Sequence, residues 1–198
     1  MALIPTTKLE AVNVCLTNIG EAPVASLTGL QVDAQVASSI IDEVSREVQS
    51  NGWHWNTEVH TISPNISNQI LLPANTLRVD TVEKDRSLDV VQRGMKLYDR
   101  KDNTYTFTGA LRLHLTVALD FDEIPEAARR YITMRSSRVF QERTLGSESL
   151  SKFNRGDEQQ AWALLQHEEA ETGDHNMITD SYSTYTTVAR NAPVRRNY

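Results

Sequence analysis

The stretch Ala110-Leu111-Arg112-Leu113-His114-Leu115-Thr116-Val117-Ala118-Leu119-Asp120 alternates apolar and other residues, and the period then changes. Leu111, Leu113, Leu115, Val117 and Leu119 share one side of an extended chain; Arg112, His114, Thr116 and Ala118 share the other. Phe121-Asp122-Glu123-Ile124-Pro125-Glu126 follows at once and reads as the start of a helix. Pro125 suits the first helical position, where a missing N–H costs nothing, and the acids favour the positive end of the helix. A strand therefore hands over to a helix near Asp120.

Toward the C-terminus this third helix carries a rough stripe of Ala127, Tyr131, Met134 and Val139 and ends at Gly146. A fourth helix begins near Ser149 or Ser151 and carries Phe153, Ala161, Leu164 and Leu165 before Gly173. Two more helices lie at the other end of the chain. Thr7 and Glu10 have capping-box spacing. Leu9, Val12, Leu16 and Ile19 follow at steps of three and four, and Gly20 suits the position just past the helix. Cys15 lies beside that stripe as a small core residue. Val32, Val36, Ile40, Val44 and Val48 mark the second helix, which Asn51-Gly52 stops.

Between the second and third helices, short period-2 fragments at 77–82, 88–91, 95–98 and 104–107 are separated by polar or Gly-containing turns. The expected fold is α+β: a bundle of about four helices (1–52 and 121–173) interrupted by a small antiparallel β insert (53–120). An extended tail, 174–198, follows. The tail is rich in Ser, Thr, Asn and Tyr and too poor in apolar residues to build a core. Extended, it spans roughly 80 Å, a reach suited to another subunit. Tyr182, Tyr185 and Tyr198 offer flat contact area, and Arg190, Arg195 and Arg196 can pair with acids on a partner.

The chain has 26 Asp+Glu against 20 Lys+Arg, a net charge of −6, which argues against a protein that coats nucleic acid. One cysteine excludes an intrachain disulfide and a cysteine-based zinc site. No apolar run is long enough to span a bilayer, and no secretory signal is visible. Phosphate-binding glycine loops, a zinc-protease helix motif and a nucleophile elbow are all missing from the sequence. The five histidines are scattered, which points away from a metal site, and no cofactor is implied.

Three groups of residues invite chemistry. Asp120, Asp122, Glu123 and Glu126 cluster at the strand-to-helix junction, and Glu168, Glu169 and Glu171 near the end of the fourth helix. Two carboxylates across a cleft could hydrolyse a glycosidic bond, but acids at a helix start are also explained by the helix dipole. Arg129, Arg130, Arg135, Arg138 and Arg143 make the third helix basic. In an acidic chain a protein–protein interface is the favoured reading over nucleic-acid binding. Trp53 and Trp55 could stack on sugars or bases; at a helix-to-sheet junction a packing hinge is favoured.

Three segments in register resemble a known family. They are Thr17-Asn18-Ile19-Gly20-Glu21-Ala22-Pro23-Val24-Ala25-Ser26-Leu27, Gln49-Ser50-Asn51-Gly52-Trp53-His54-Trp55-Asn56-Thr57-Glu58, and Asp122-Glu123-Ile124-Pro125-Glu126-Ala127-Ala128-Arg129-Arg130-Tyr131-Ile132. Their order and spacing resemble the tail tubular protein A family of T7-like short-tailed phages, also called the adaptor or gatekeeper. The resemblance implies a structural protein of the virion tail, made in the host cytoplasm, forming a twelve-subunit ring that docks beneath the portal protein. That ring would continue the DNA ejection channel into the nozzle made by tail tubular protein B. The ring-to-nozzle junction would carry the tail fibres, and double-stranded DNA would pass through the lumen without specific binding. No membrane is expected as a partner of the free protein. A virion-associated hydrolase of cell-wall or capsule polysaccharide, alone or as a second activity of the ring, is the alternative. No catalytic residue is assigned to it.

Overall fold

The computed structural model describes residues 5–29, 31–82 and 88–172. Its elements are α1 (Lys8–Asn18), α2 (Val32–Gln49), β1 (Thr57–Ile62), β2 (Thr76–Thr81), β3 (Val90–Arg93), β4 (Lys96–Asp99), β5 (Leu111–Val117), α3 (Glu126–Thr144) and α4 (Glu148–Thr172). The fold is α+β, as the change of period implies. The tail residues Tyr182, Tyr185, Arg190, Arg195, Arg196 and Tyr198 lie outside the described residues.

Helix boundaries follow local chemistry. At the start of α1 the Thr7 hydroxyl accepts from the Glu10 N–H, and the Glu10 carboxylate accepts from the Thr7 N–H at 2.8 Å. At its end Gly20 has φ +84°, a conformation that a side chain strains. This lets the Glu21 N–H reach the Leu16 carbonyl at 3.0 Å and the Gly20 N–H reach Thr17 at 3.1 Å. The start of α3 differs from expectation by one residue. Pro125 is the N-cap, with ψ 150°, and its carbonyl accepts the Arg129 N–H.

α3 packs against α1, α2 and α4 and is the central helix. Its buried face is Ala128, Tyr131, Ile132 and Phe140, filled out by Thr133, Ser136, Ser137 and Gln141. Of the expected stripe, Tyr131 is buried, while Ala127, Met134 and Val139 sit at the margin. Apolar spacing misleads here because small hydroxylated residues take buried positions on the helix. Thr133 stays satisfied by donating to the Arg129 carbonyl at 2.8 Å. The expected stripe of α2 drifts for a geometric reason: steps of four advance about 40° around a helix with 3.6 residues per turn. Ile40, Val44 and Val48 are therefore buried, whereas Val32 is 73% exposed. Cys15 is fully buried in the same core, and burial pushes its thiol up to about 12.

The β part holds a three-stranded antiparallel sheet, β1-β5-β2, and a β3-β4 hairpin. β5 is the central strand. Leu111, Leu113, Leu115 and Val117 build a second core with Ile70, Leu72, Leu97 and Phe107. Thr116, on the side opposite the leucines, is nonetheless buried, under the turn at Gly52, where an added Cβ would meet the Thr116 hydroxyl at 3.1 Å. The expected strand at 104–107 forms only isolated bridges, Asp99 with Thr104 and Thr106 with Gln69. Asp99 accepts the Lys101 and Asp102 N–H groups, which holds a turn, and Asn103 follows at φ +53°. β1, with Glu58 and His60 facing Leu115 and Leu113, has no apolar alternation to announce it.

Two buried amides join the two parts. The Gln49 side chain, 1% exposed, donates to the Leu119 carbonyl at 3.0 Å and accepts the Leu119 N–H at 2.7 Å. The Asn56 side chain donates to the Gln49 and Val117 carbonyls, both at 2.9 Å, and accepts the Trp53 N–H at 2.8 Å. Leu119 packs against both cores. Replacing Leu115 by Ala, at the middle of β5, should cost about 2–5 kcal/mol in denaturant unfolding, the range for a buried Leu that leaves a cavity. A loss below about 1 kcal/mol would show that the register places Leu115 at the surface.

Candidate functional site

The arginines of α3 are placed at helical spacing so that their side chains meet α2, α4 and the segment ahead of α1. Arg129 donates to the Thr6 carbonyl at 3.0 Å, to Ile124 at 2.5 Å and to the Asp122 carbonyl, pinning the chain ahead of α1 onto the start of α3. Arg135 bonds Glu47 of α2 at 2.6 Å and the Tyr131 hydroxyl at 3.1 Å. Arg143 grips Glu43 with both terminal nitrogens, at 2.7 and 2.9 Å. Arg138 forks onto Glu158 of α4 and also reaches Glu142 at 2.9 Å. Arg130 is exposed and forms no hydrogen bond or ion pair among the described residues. The α3 arginines named as interface residues thus divide: Arg129, Arg135 and Arg138 hold their own chain together, and Arg130 is available.

Glu142 accepts the Ser151 hydroxyl at 2.6 Å as well as Arg138, and these bonds hold its carboxyl below the ordinary value of 4.5. Arg138 is pushed the other way, first by its bond to Glu158. Around this cluster α3 and α4 leave a cleft of about 370 Å³ lined by Tyr131, Arg138, Arg155, Glu158, Gln159 and Trp162. The Trp162 ring meets Tyr131 at 4.9 Å and the edge of Trp53 at 5.7 Å. Trp53 stacks on Trp55 at 6.5 Å and donates its indole N–H to Val48 at 2.8 Å. Trp53 is buried, with one face on Trp55 and Trp162 against it, so the tryptophan pair works as packing between α2, α4 and β1.

Two of the four junction acids have structural partners. Glu126 accepts the Thr6 N–H at 2.7 Å and its hydroxyl at 2.6 Å; Asp122 accepts the Lys8 N–H at 3.2 Å. At the far end of α4, Glu169 accepts the His54 N–H at 2.8 Å and pairs with its imidazole. Among the described residues no group of three or more His, Cys, Asp or Glu is arranged to hold a metal ion. Sequence reasoning passed over Glu158, Trp162, Gln49 and Asn56. Glu158 was findable as the acid that faces a basic α3, whereas the amides carry no signal without the fold.

The surface also carries large apolar side chains. Leu150, Phe153 and Leu164 lie on one face of α4, at spacings of three and eleven. Phe153 is 77% exposed and Leu164 53%, although the sequence groups them with the buried Ala161 and Leu165. Ile66, Leu71 and Met95 are exposed on the β part. Exposed large side chains in rows mark contact surfaces for other proteins.

The family model described as tail tubular protein matches residues 9–175. The chain is also similar to Tail tubular protein A of Klebsiella phage KP34, with 26% identity over 142 residues, 72% of this chain and 75% of that protein.

The seam between α3 and α4 should be acid-sensitive. The carboxyl of Glu142 titrates lower in the folded chain than in the unfolded one, so its stabilisation is complete above the ordinary value of 4.5. It is lost as the pH falls through the lower, folded-state value. Ser151→Ala should flatten this acid limb in thermal melts across pH 3–6. Glu158→Gln, which leaves Arg138 short of a charged partner, should cost about 2 kcal/mol at pH 7. Neutrality of both substitutions would mean that α4 is not held by this cluster.

Proposed function

Because the chain belongs to the tail tubular protein family, and is thus a structural component of a phage tail, we propose that it forms a twelve-subunit adaptor ring between the portal and the tail nozzle. The observation that carries this reading is the family match over 9–175, together with the apolar row on α4 that nothing among the described residues covers. A ring needs a heterologous contact, one surface of each copy meeting a different surface of the next. The row Leu150, Phe153 and Leu164 on α4 is one such surface, and the exposed Val32 and Val36 on α2 suit the other.

Within the ring the four helices form the body. The exposed Arg130 and the basic tail end, with Arg190, Arg195, Arg196 and Tyr198, dock on the portal or a neighbouring subunit. The β part faces the nozzle protein, and the fibres attach at that junction. The acidic balance of the chain suits a conduit. A wall with many Lys/Arg–phosphate contacts would release counterions and hold DNA, whereas an anionic wall lets it slide.

Electron microscopy of the purified chain mixed with its portal should show twelve-fold rings on the portal face. Phe153→Asp should reduce the rings at least tenfold while the circular dichroism spectrum stays unchanged. Deleting 189–198 should leave the fold intact and weaken portal docking at least tenfold. A chain that stays monomeric with the portal present would overturn the proposal.

A further inference from the structure

β1 is an edge strand: the sheet order is β1-β5-β2, and nothing among the described residues pairs with its outer side. The register shows which groups are left open. β5 alternates, with the carbonyl of Arg112 accepting Val82 on the β2 side and that of Val117 accepting Asn56 on the β1 side. Leu111, Leu113 and Leu115 therefore aim their backbone groups at β1, where their partners are Ile62, His60 and Glu58. The N–H and C=O groups of Thr57, Val59 and Thr61 point outward. The strand has six residues, carries no proline and exposes Val59 at 47%. A long open edge of this kind templates pairing with another extended segment.

The chain itself supplies a fitting segment, at the right place. α4 ends at Thr172, three residues after Glu169, and Glu169 is bonded to His54, three residues before β1. α4 thus ends within a turn of a residue bonded to the segment that leads into the open edge. Residues 182–188, Tyr-Ser-Thr-Tyr-Thr-Thr-Val, contain six aromatic or β-branched residues of seven and no charge. The nine residues 173–181 reach roughly 30 Å when extended, enough for either end of a six-residue strand. A short tether also gives the segment an effective concentration in the millimolar range at its own edge.

We infer that residues 182–188 add to the outer edge of β1 in the same chain as a further strand of the sheet. Main-chain hydrogen bonds to Thr57, Val59 and Thr61 hold it while the chain is free, before 189–198 engages the portal or a neighbouring subunit. The inference is independent of ring formation, because it concerns the single chain. It is tested by hydrogen exchange on the monomeric full-length chain, followed over peptides covering 55–63. The amides of Thr57, Val59 and Thr61 should exchange at least tenfold more slowly than in the variant Thr184→Pro/Tyr185→Pro, whose prolines remove donors of both parities. Glu58, His60 and Ile62, bonded to β5, should be equally slow in both and report that the sheet is intact. A chain ending at Thr172 should match the proline variant. Equal rates in parent and variant would overturn the inference. So would slow exchange that appears only as concentration rises, which would assign the strand to a neighbouring copy.

Discussion

Everything in this fold hangs on two carboxamides. Gln49 ends α2 and Asn56 opens the path into β1, and between them they satisfy the backbone of Val117 and Leu119 as β5 runs out. Backbone groups that leave a sheet and enter a hydrophobic junction are expensive to strand without partners. A side-chain amide can donate and accept at once, so it substitutes for a missing strand. Gly52, at φ +78°, makes the turn between the two amides and presses against Thr116. The helical and β parts are thereby fixed by hydrogen bonds where each core is thinnest.

The arginines of α3 do a related task at longer range. A central helix with Thr133, Ser136 and Ser137 among its buried residues buries little apolar surface per turn. Arg129, Arg135, Arg138 and Arg143 compensate at the periphery, reaching the segment ahead of α1, α2 (twice) and α4. Their planar forks suit carboxylates and carbonyls that approach from several helices, which ammonium groups would hold less directionally. The same exchange explains why α4 can leave Phe153 and Leu164 uncovered: its hold on α3 comes from Glu158, Trp162, Ala161 and Leu165.

The sequence was most legible where one element obeys one period. β5 could be read residue by residue, and the α1 boundaries followed from Thr7, Glu10 and Gly20. Legibility failed where burial is not apolar or where apolar residues are not buried. Thr116 and the small residues of α3 belong to the first case; Val32 and Phe153 belong to the second. β1 escaped notice because an edge strand buries so little that Glu58 and His60 need not alternate with anything. At the surface, the arginine run was visible as a basic face, but whether an arginine serves its own chain or a partner depends on where α2 and α4 lie. Arg130 and Arg138 are indistinguishable until then.

The attachment of the last turns of α4 has a mechanical consequence. Among the described residues beyond Leu165, Glu169 ties the helix to the rest of the molecule by hydrogen bonds, through one carboxylate on His54. A pull on the end of α4 is therefore delivered first to the residue next to Trp53, and from there to the joint that Asn56 makes with β5. The arginine seam, farther back along the helix, is loaded after it. Tension applied at one extremity loads the boundary between the two cores first, so the weakest link under force is the link that sets their relative orientation.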